Sequence, residues 1–404
     1  MIPSLQNLAR CAAAVVTLGA VACSSSSNAT QTIPNAGTGG TGGTSTSGGM
    51  GGSSALGGTS GATTGGSSGT SSGSGGTDNA EGGAPTTAVD LPWLHVEGNA
   101  IKDPNGNTVI LRGVDLIDLA ATEQWEGGIK KMIDRLTDPN DTQGSSPGWA
   151  TKILRLAVAP ADAGGGTPVG YQPGIQYYER FLRPTVDYAR EKGLYAIIDW
   201  HYVDDTTKHE DTTLAFWQDI APHFATDTNV LFELYNEPIN SGTWSTVKTD
   251  MQTWYNAVRA VAPNNVVLVG TPNWSQNVGD ASSDPLDGTN LVYVAHMYPT
   301  HWQSQSLKNQ ITTAAMTVPV FMTEWGFQQE SMQTILQGTI TSYGDPLKQF
   351  IEERGLSWSA WCASSSWGPP MFAKDYSLLV GEGEMGGFVK DWLWERKDDD
   401  LPMP

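Results

Sequence analysis

Leu231, Phe232, Glu233, Leu234, Tyr235, Asn236, Glu237, Pro238 and Ile239 form the stretch from which the fold is read. The run from Val230 is apolar and strand-like, and Pro238 stops it just beyond an amide and a carboxylate. A carboxylate is costly to desolvate without partners, so a core strand ending in Asn236 and Glu237 implies work at the strand's mouth. Asn and Glu are also common at helix starts, and on the local pattern a capped helix following the strand is an equal reading.

Working outward, seven further apolar runs resemble that strand. With 230–235 they are 109–116, 153–158, 194–200, 266–269, 291–295, 318–322 and 356–361. Helical spacing fills the gaps, as in 177–192 and 244–261. Strands alternating with helices imply parallel pairing, and eight such units over roughly 300 residues fit an α/β (β/α)8 TIM barrel. A doubly wound sheet is the competing architecture. It would want a Gly-rich phosphate turn after the first strand, and Arg112, Gly113, Val114 and Asp115 do not supply one. Ahead of the first strand, 94–96, Gly98-Asn99, the Asn105-Gly106 turn and 108–111 read as a short β-hairpin.

Upstream the composition changes. Residues 23–89 are almost wholly Gly, Ser, Thr, Ala and Asn, with no periodic apolar pattern, and read as a disordered linker. Residues 1–22 read as a signal peptide: Arg10 precedes an apolar run too short to span a bilayer comfortably, and small residues end at Ala22. Small residues, then Cys23, then a Ser run look like a bacterial lipoprotein signal, with Cys23 acylated as a membrane tether. Cleavage after Ala22 gives the same mature start without lipid. The protein is therefore expected to be exported, as a cell-surface or outer-membrane lipoprotein or else secreted. A catalytic domain is expected over 90–398, and it is expected to be a monomer.

The formal charge is −20, and only Arg10, Asp78 and Glu81 are charged within residues 1–89, so −19 belongs to the remainder. That balance argues against nucleic acid and anionic surfaces and suits a neutral partner such as a polysaccharide. The first of the 15 Trp is Trp93. Cys362 is the lone cysteine beyond the signal and linker, which excludes an internal disulfide and a Cys-based metal site there.

A barrel places catalytic groups at the C-terminal ends of its strands. The second strand carries Arg155, and the third ends in Asp199, Trp200 and His201. The fourth ends in Asn236 and Glu237, the sixth in His296 and Tyr298, the seventh in Thr323 and Glu324, the eighth in Trp358 and Trp361. Glu237 and Glu324 read as the only glutamates directly ending core strands. Two facing carboxylates are the machinery of glycoside hydrolysis: one protonated to release the leaving oxygen, the other ionised to attack. Arg155 and Tyr298 are placed to hold Glu324 ionised, and Asn236 to bond a sugar 2-hydroxyl. A divalent metal held by the carboxylates with His201 and His296 is the competing chemistry. No H-x-H or D-x-D spacing supports it, so neither metal nor cofactor is expected.

Residues 234–238 paired with 321–326 resemble glycoside hydrolase family 5, retaining (β/α)8 enzymes. The resemblance covers residues 94–391 and includes 111–114, 197–201 and 274–276. It implies Glu237 as acid/base and Glu324 as nucleophile. Arg155, His201, Asn236, His296, Tyr298 and Trp361 would line the cleaved sugar's subsite, with Trp274 a stacking platform on the leaving-group side. Two departures bear on substrate: Tyr235 stands where cellulases of the family often carry a small residue, and 361–372 lacks the Lys and Glu expected in the eighth loop. The implied activity is a retaining endo-β-1,4-glycanase on cellulose or soluble β-glucan. β-1,4-Mannan is the alternative within the family, and an inactive surface carbohydrate-binding protein the alternative outside enzymes.

Overall fold

The structure, a computed structural model, describes residues 91–404 apart from 164–168, 175 and 240–242. The proposed signal peptide, Cys23 and the linker lie outside the described residues. Strands β1 (His95–Glu97) and β2 (Ala100–Lys102) pair antiparallel across Gly98 and Asn99, giving the expected hairpin.

The core strands are β3 (Arg112–Leu116), β4 (Ile153–Val158), β5 (Tyr195–Trp200), β7 (Val230–Glu233), β9 (Val267–Val269), β10 (Leu291–His296), β11 (Val320–Glu324) and β12 (Ser357–Ala360). They close into one barrel in chain order, every pair parallel. Two short strands, β6 (Val203–Asp204) and β8 (Glu237–Pro238), pair beyond the ends of β5 and β7. The eight-stranded (β/α)8 reading is thus the observed one.

Side-chain parity divides the core in two. Ile153, Tyr195, Ile197, Leu231, Leu268, Val292, Val294 and Phe321 share one buried cluster with Leu91, Leu94, Ile101 and Val109. The entering chain and the hairpin therefore plug the barrel at the starts of its strands. Alternate residues such as Leu154, Ile198, Phe232, Val267, Tyr293 and Met322 pack outward with the helices. Gly113 is needed where β3 approaches β4, since a Cβ there would sit 1.8 Å from the Ile153 carbonyl oxygen. The chain's end returns to the plugged face: Ile110 N–H donates to the Asp400 carbonyl (3.1 Å), and Met403 N–H to Asp103 (3.0 Å).

Two details differ from expectation. The helix read over 177–192 is a π-helical turn, Tyr178–Leu182, running into an α-helix, Arg183–Glu191. The fourth strand ends at Glu233, two residues short of the expected 235. No helix among the described residues is long and apolar enough to cross a membrane.

Candidate active site

Parity that buries isoleucine and leucine low in the barrel brings charge into its upper layer. Positions 153 and 155, 197 and 199, 231 and 233 face the same way, so Arg155, Asp199 and Glu233 continue the inward rows of their strands. Asp115, two residues beyond Gly113, joins them. Arg155 is fully buried and meets four carboxylates: Glu233 (2.7 Å), Glu324 (2.9 Å), Asp199 (3.0 Å) and Asp115 (3.3 Å). The pair with Glu233 is bidentate, its second bond 3.1 Å long. Glu233 is a correction to the sequence reading: it directly ends a core strand, while Glu237 lies four residues on, in β8.

One buried cation cannot stabilise so many anions, and burial dominates the remainder. It pushes Asp199 and Glu233 up to about 7 against the pull of Arg155, and Asp115 well above the carboxylate range. Arg155 itself is locked in its charged form by its carboxylate neighbours, which outweigh its burial.

Glu324 ends β11, where the pairing with β10 slips between Val294 and His296, so that Glu324 stands opposite His296. It accepts from Arg155 Nη1 (2.9 Å) and from the Tyr298 hydroxyl (2.9 Å). Burial and the Glu324 charge push the Tyr298 hydroxyl well above its usual range, so it stays a donor. Gly326 follows because a Cβ there would lie 2.5 Å from the Trp361 carbonyl oxygen.

Glu237 is placed by β8, its backbone N–H donating to the Tyr202 carbonyl (3.0 Å). Its carboxyl lies 2.8 Å from His296 Nδ1, and burial pushes it up to about 7. Burial also holds His296 down to about 3, so that ring is neutral. One carboxylate oxygen from Glu237, one from Glu324 and a nitrogen of His296 lie within 4.8 Å of one another. His201 is not in that group, and both His296 nitrogens already face partners, Glu237 and Thr323 Oγ1 (3.0 Å).

Asn236 accepts through its side-chain carbonyl oxygen from Arg155 Nη2 (2.6 Å), a bond that does not engage its amide N–H groups. His201 Nδ1 lies 2.6 Å from Asp199, and its ring stacks on Trp361 with centroids 5.1 Å apart and planes 7° from parallel. Burial lowers the His201 pKa, with Arg155 adding to the shift. Trp361 stands just past β12 and packs with Ile117, Ala121, Ala157 and Cys362.

Trp274 stands apart from this cluster, half-buried, in a stretch where Asn273, Trp274 and Ser275 all adopt left-handed φ of 58°, 57° and 52°. Three such residues in sequence need outside support. The Ser275 hydroxyl supplies it, donating to the Asn236 carbonyl (2.7 Å) and accepting from Thr271 N–H (3.3 Å).

The two departures in sequence resolve structurally. Tyr235 points outward from the barrel, stacked between Tyr202 and Trp254, each with centroids 5.5 Å away. It is packing and does not touch the cleft. The loop after β12 is held by Glu126, whose buried carboxylate accepts from Ser364 Oγ (2.6 Å), Ser365 N–H (2.8 Å) and Ser366 Oγ (2.6 Å). Asp115, Glu233, Glu126 and Ser275 were missed as site residues in sequence, while Asp199 and Thr323 were read at strand ends but given no role. Strand parity was the available signal for Asp115, Asp199, Glu233 and Thr323; for Glu126 and Ser275 there was none.

Comparison with known proteins gives concordant matches. The model of the cellulase family, glycosyl hydrolase family 5, matches residues 103–366. Endoglucanase Z of Dickeya dadantii is 34% identical over 253 residues, 61% of this chain and 56% of that protein. The chain thus spans little more than half the length of the curated relatives it matches. Among solved structures, cellulase Cel5C_n superposes with a TM-score of 0.63 at 25% identity, covering 74% of this chain and 91% of that one. A β-glucanase of Saccharophagus degradans in complex with cellotetraose superposes at 0.65 and 23% identity, covering 76% and 94%.

Proposed function

The chain belongs to glycosyl hydrolase family 5, and from that membership we propose that it is a retaining endo-β-1,4-glucanase. The observation that carries the chemistry is the pair Glu237 and Glu324, with carboxylate oxygens within 4.8 Å, Glu324 accepting from Arg155 and Tyr298 and Glu237 beside His296. Retaining enzymes hold their carboxyls about 5–5.5 Å apart, whereas inverting enzymes leave about 6.5–9.5 Å for a water.

In the first step, Glu324, charged between Arg155 and Tyr298, attacks the anomeric carbon. Glu237, with its pKa raised to about 7, gives its proton to the departing oxygen. The C–O bond to the leaving sugar breaks, and a glycosyl ester forms on Glu324. In the second step, Glu237, now a carboxylate, takes a proton from water as that water cleaves the ester. Asn236 donates to the 2-hydroxyl, where charge-assisted bonding strengthens in the transition state. His201, His296, Tyr298 and Trp361 shape the cleaved sugar's subsite, and Trp274 stacks on the leaving-group sugar.

β-1,4-Glucan is the proposed substrate because the relatives named above are an endoglucanase, a cellulase and a β-glucanase. A panel of carboxymethylcellulose, lichenan, xyloglucan, xylan and glucomannan with product sizing tests this. Turnover confined to glucomannan, with mannose at the cleaved position, overturns it in favour of β-1,4-mannan. Glu324→Ala is expected to abolish hydrolysis of aryl cellobiosides, with added azide restoring turnover as a glycosyl azide; full residual activity removes the nucleophile assignment. Glu237→Ala is expected to spare substrates with good leaving groups far more than polysaccharide. The presence of both carboxyls in working geometry stands against an inactive binding protein.

The protein is further proposed to act as an exported monomer, tethered through acylated Cys23 or else secreted. Metabolic incorporation of a fatty-acid probe that is lost in Cys23→Ala is the expected result for the tether.

A further inference from the structure

The mechanism leaves Glu233 and the Thr323 hydroxyl without a task, yet both are fully buried and joined to the acid. Glu237 Oε1 lies 2.8 Å from His296 Nδ1, His296 Nε2 lies 3.0 Å from Thr323 Oγ1, and Thr323 Oγ1 lies 3.2 Å from Glu233 Oε1. An alcohol carries one proton and a neutral imidazole carries one. Four groups in a row with three protons between them can therefore be filled in two self-consistent directions.

In one direction the Glu237 carboxyl donates to Nδ1, Nε2–H donates to Thr323, and Thr323 donates to the Glu233 carboxylate. In the other, the Glu233 carboxyl donates to Thr323, Thr323 to Nε2, and Nδ1–H to the Glu237 carboxylate. Three short proton displacements convert one into the other. Each O–H or N–H that breaks is matched by one that forms on the next atom. Total charge is unchanged, and one net proton moves between Glu237 and Glu233.

We propose that Glu233 is a positioning residue for the acid: through Thr323 and His296 it shares one proton with Glu237 and sets which end holds it. Arg155 decides the direction, because its guanidinium grips Glu233 through two bonds and favours the charge at that end. Acting on Glu233 are Arg155 on β4, Asp199 on β5, Thr323 on β11 and the buried Asp115 on β3. Acting on Glu237 are His201 beyond β5, Arg155 on β4, Asp199 on β5 and Glu233 on β7, with His296 on β10 and Glu324 on β11 grouped beside it. Glu233 combines a two-bond contact with the cation and a hydrogen-bonded path through Thr323 and His296 to the acid. The resting enzyme thus keeps Glu237 protonated with the Nε2–H tautomer at His296, and the two carboxyls titrate as a pair.

The proposal rests on Glu237 being the acid, so the test needs one readout that is independent of turnover. Nitrogen NMR of His296 reports its tautomer in the resting enzyme, and the pH dependence of kcat/KM on cellotetraose reports the acid. In Glu233→Gln, Arg155 keeps the amide oxygen at the shorter contact, which turns the amide NH2 toward Thr323. Thr323 must then donate to Nε2, so the Nδ1–H tautomer is expected. With Nδ1–H favouring the Glu237 carboxylate, the alkaline limb should move down by about one pH unit. Thr323→Val, nearly isosteric and leaving the Arg155 pair intact, is expected to move the limb the same way, and Thr323→Ser to restore it. The double variant should shift no further than the larger single one. An unchanged limb with an unchanged tautomer in Thr323→Val and Glu233→Gln, or shifts that add, overturns the proposal. Failure of the acid assignment would show separately, as loss of leaving-group dependence in Glu237→Ala.

Discussion

At the scale of the residue, the site is governed by one cation. Arg155 serves Glu233, Asp199, Asp115, Glu324 and the Asn236 amide at once, which requires the planar fork of a guanidinium. Arg155→Lys keeps the charge but cannot make these bonds together. It is expected to lower kcat/KM on the order of 10²–10³-fold, measured on cello-oligosaccharides, with most of the loss in kcat. The Glu237 carboxyl, raised to about 7, sets a second expectation. The acid form is lost as pH rises through that value, so kcat/KM should fall above about pH 7, and a flat profile to pH 9 would contradict the assignment. Both glutamates and the two histidines were legible in sequence because each stands at or just past the end of an apolar run, and Arg155 because it is the one charge inside the run Ile153–Val158. Asp115, Asp199 and Glu233 were less so. Each is set in a run that reads as core, and an inward-facing acid is recognisable only when the parity of its strand is followed through to the cation it meets.

At the scale of the element, the two loops that frame the cleft depend on single polar side chains outside the chemistry. Ser275 ties the left-handed stretch bearing Trp274 to the backbone of Asn236. Ser275→Ala removes that bond at a cost of about 1–2 kcal/mol. It is expected to raise KM for substrates reaching the leaving-group side while sparing aryl cellobiosides, whose leaving group does not need the Trp274 platform. Glu126 holds the loop after β12 through three donors. Glu126→Ala leaves those donors without their acceptor, costing about 2–3 kcal/mol. Faster hydrogen exchange at 364–367 and a lower Tm are the expected readings. Neither tether was legible: a serine beside a tryptophan and a glutamate at a helix end have ordinary local explanations, and their partners lie 39 and 238 residues away. The strands were legible because burial on both faces writes them as continuous apolar runs. The π-helical turn was not, because its apolar spacing imitates an α-helix.

At the scale of the whole molecule, the buried acids make stability depend on pH. A carboxyl that holds its proton more tightly folded than unfolded stabilises the fold below its unfolded pKa, and that contribution is lost as pH rises toward its folded value. Asp199 is raised from 3.8 to about 7, and Glu233 and Glu237, which hold one proton between them, each from 4.5 to about 7. Tm is therefore expected to fall between about pH 4 and 7, and Asp199→Asn to flatten that decline in calorimetric scans. A steeper decline in the variant would be the contrary result. The barrel's closed end carries a separate consequence. The chain enters beside Leu91, under the hairpin, and Asp400 and Met403 return to the same face. Leu91 and Met403 therefore both sit opposite the mouth where Glu237 and Glu324 open. A bead or a surface joined at the C-terminal residues reaches the domain from behind, and enzyme immobilised there should digest long soluble chains as fast as free enzyme does.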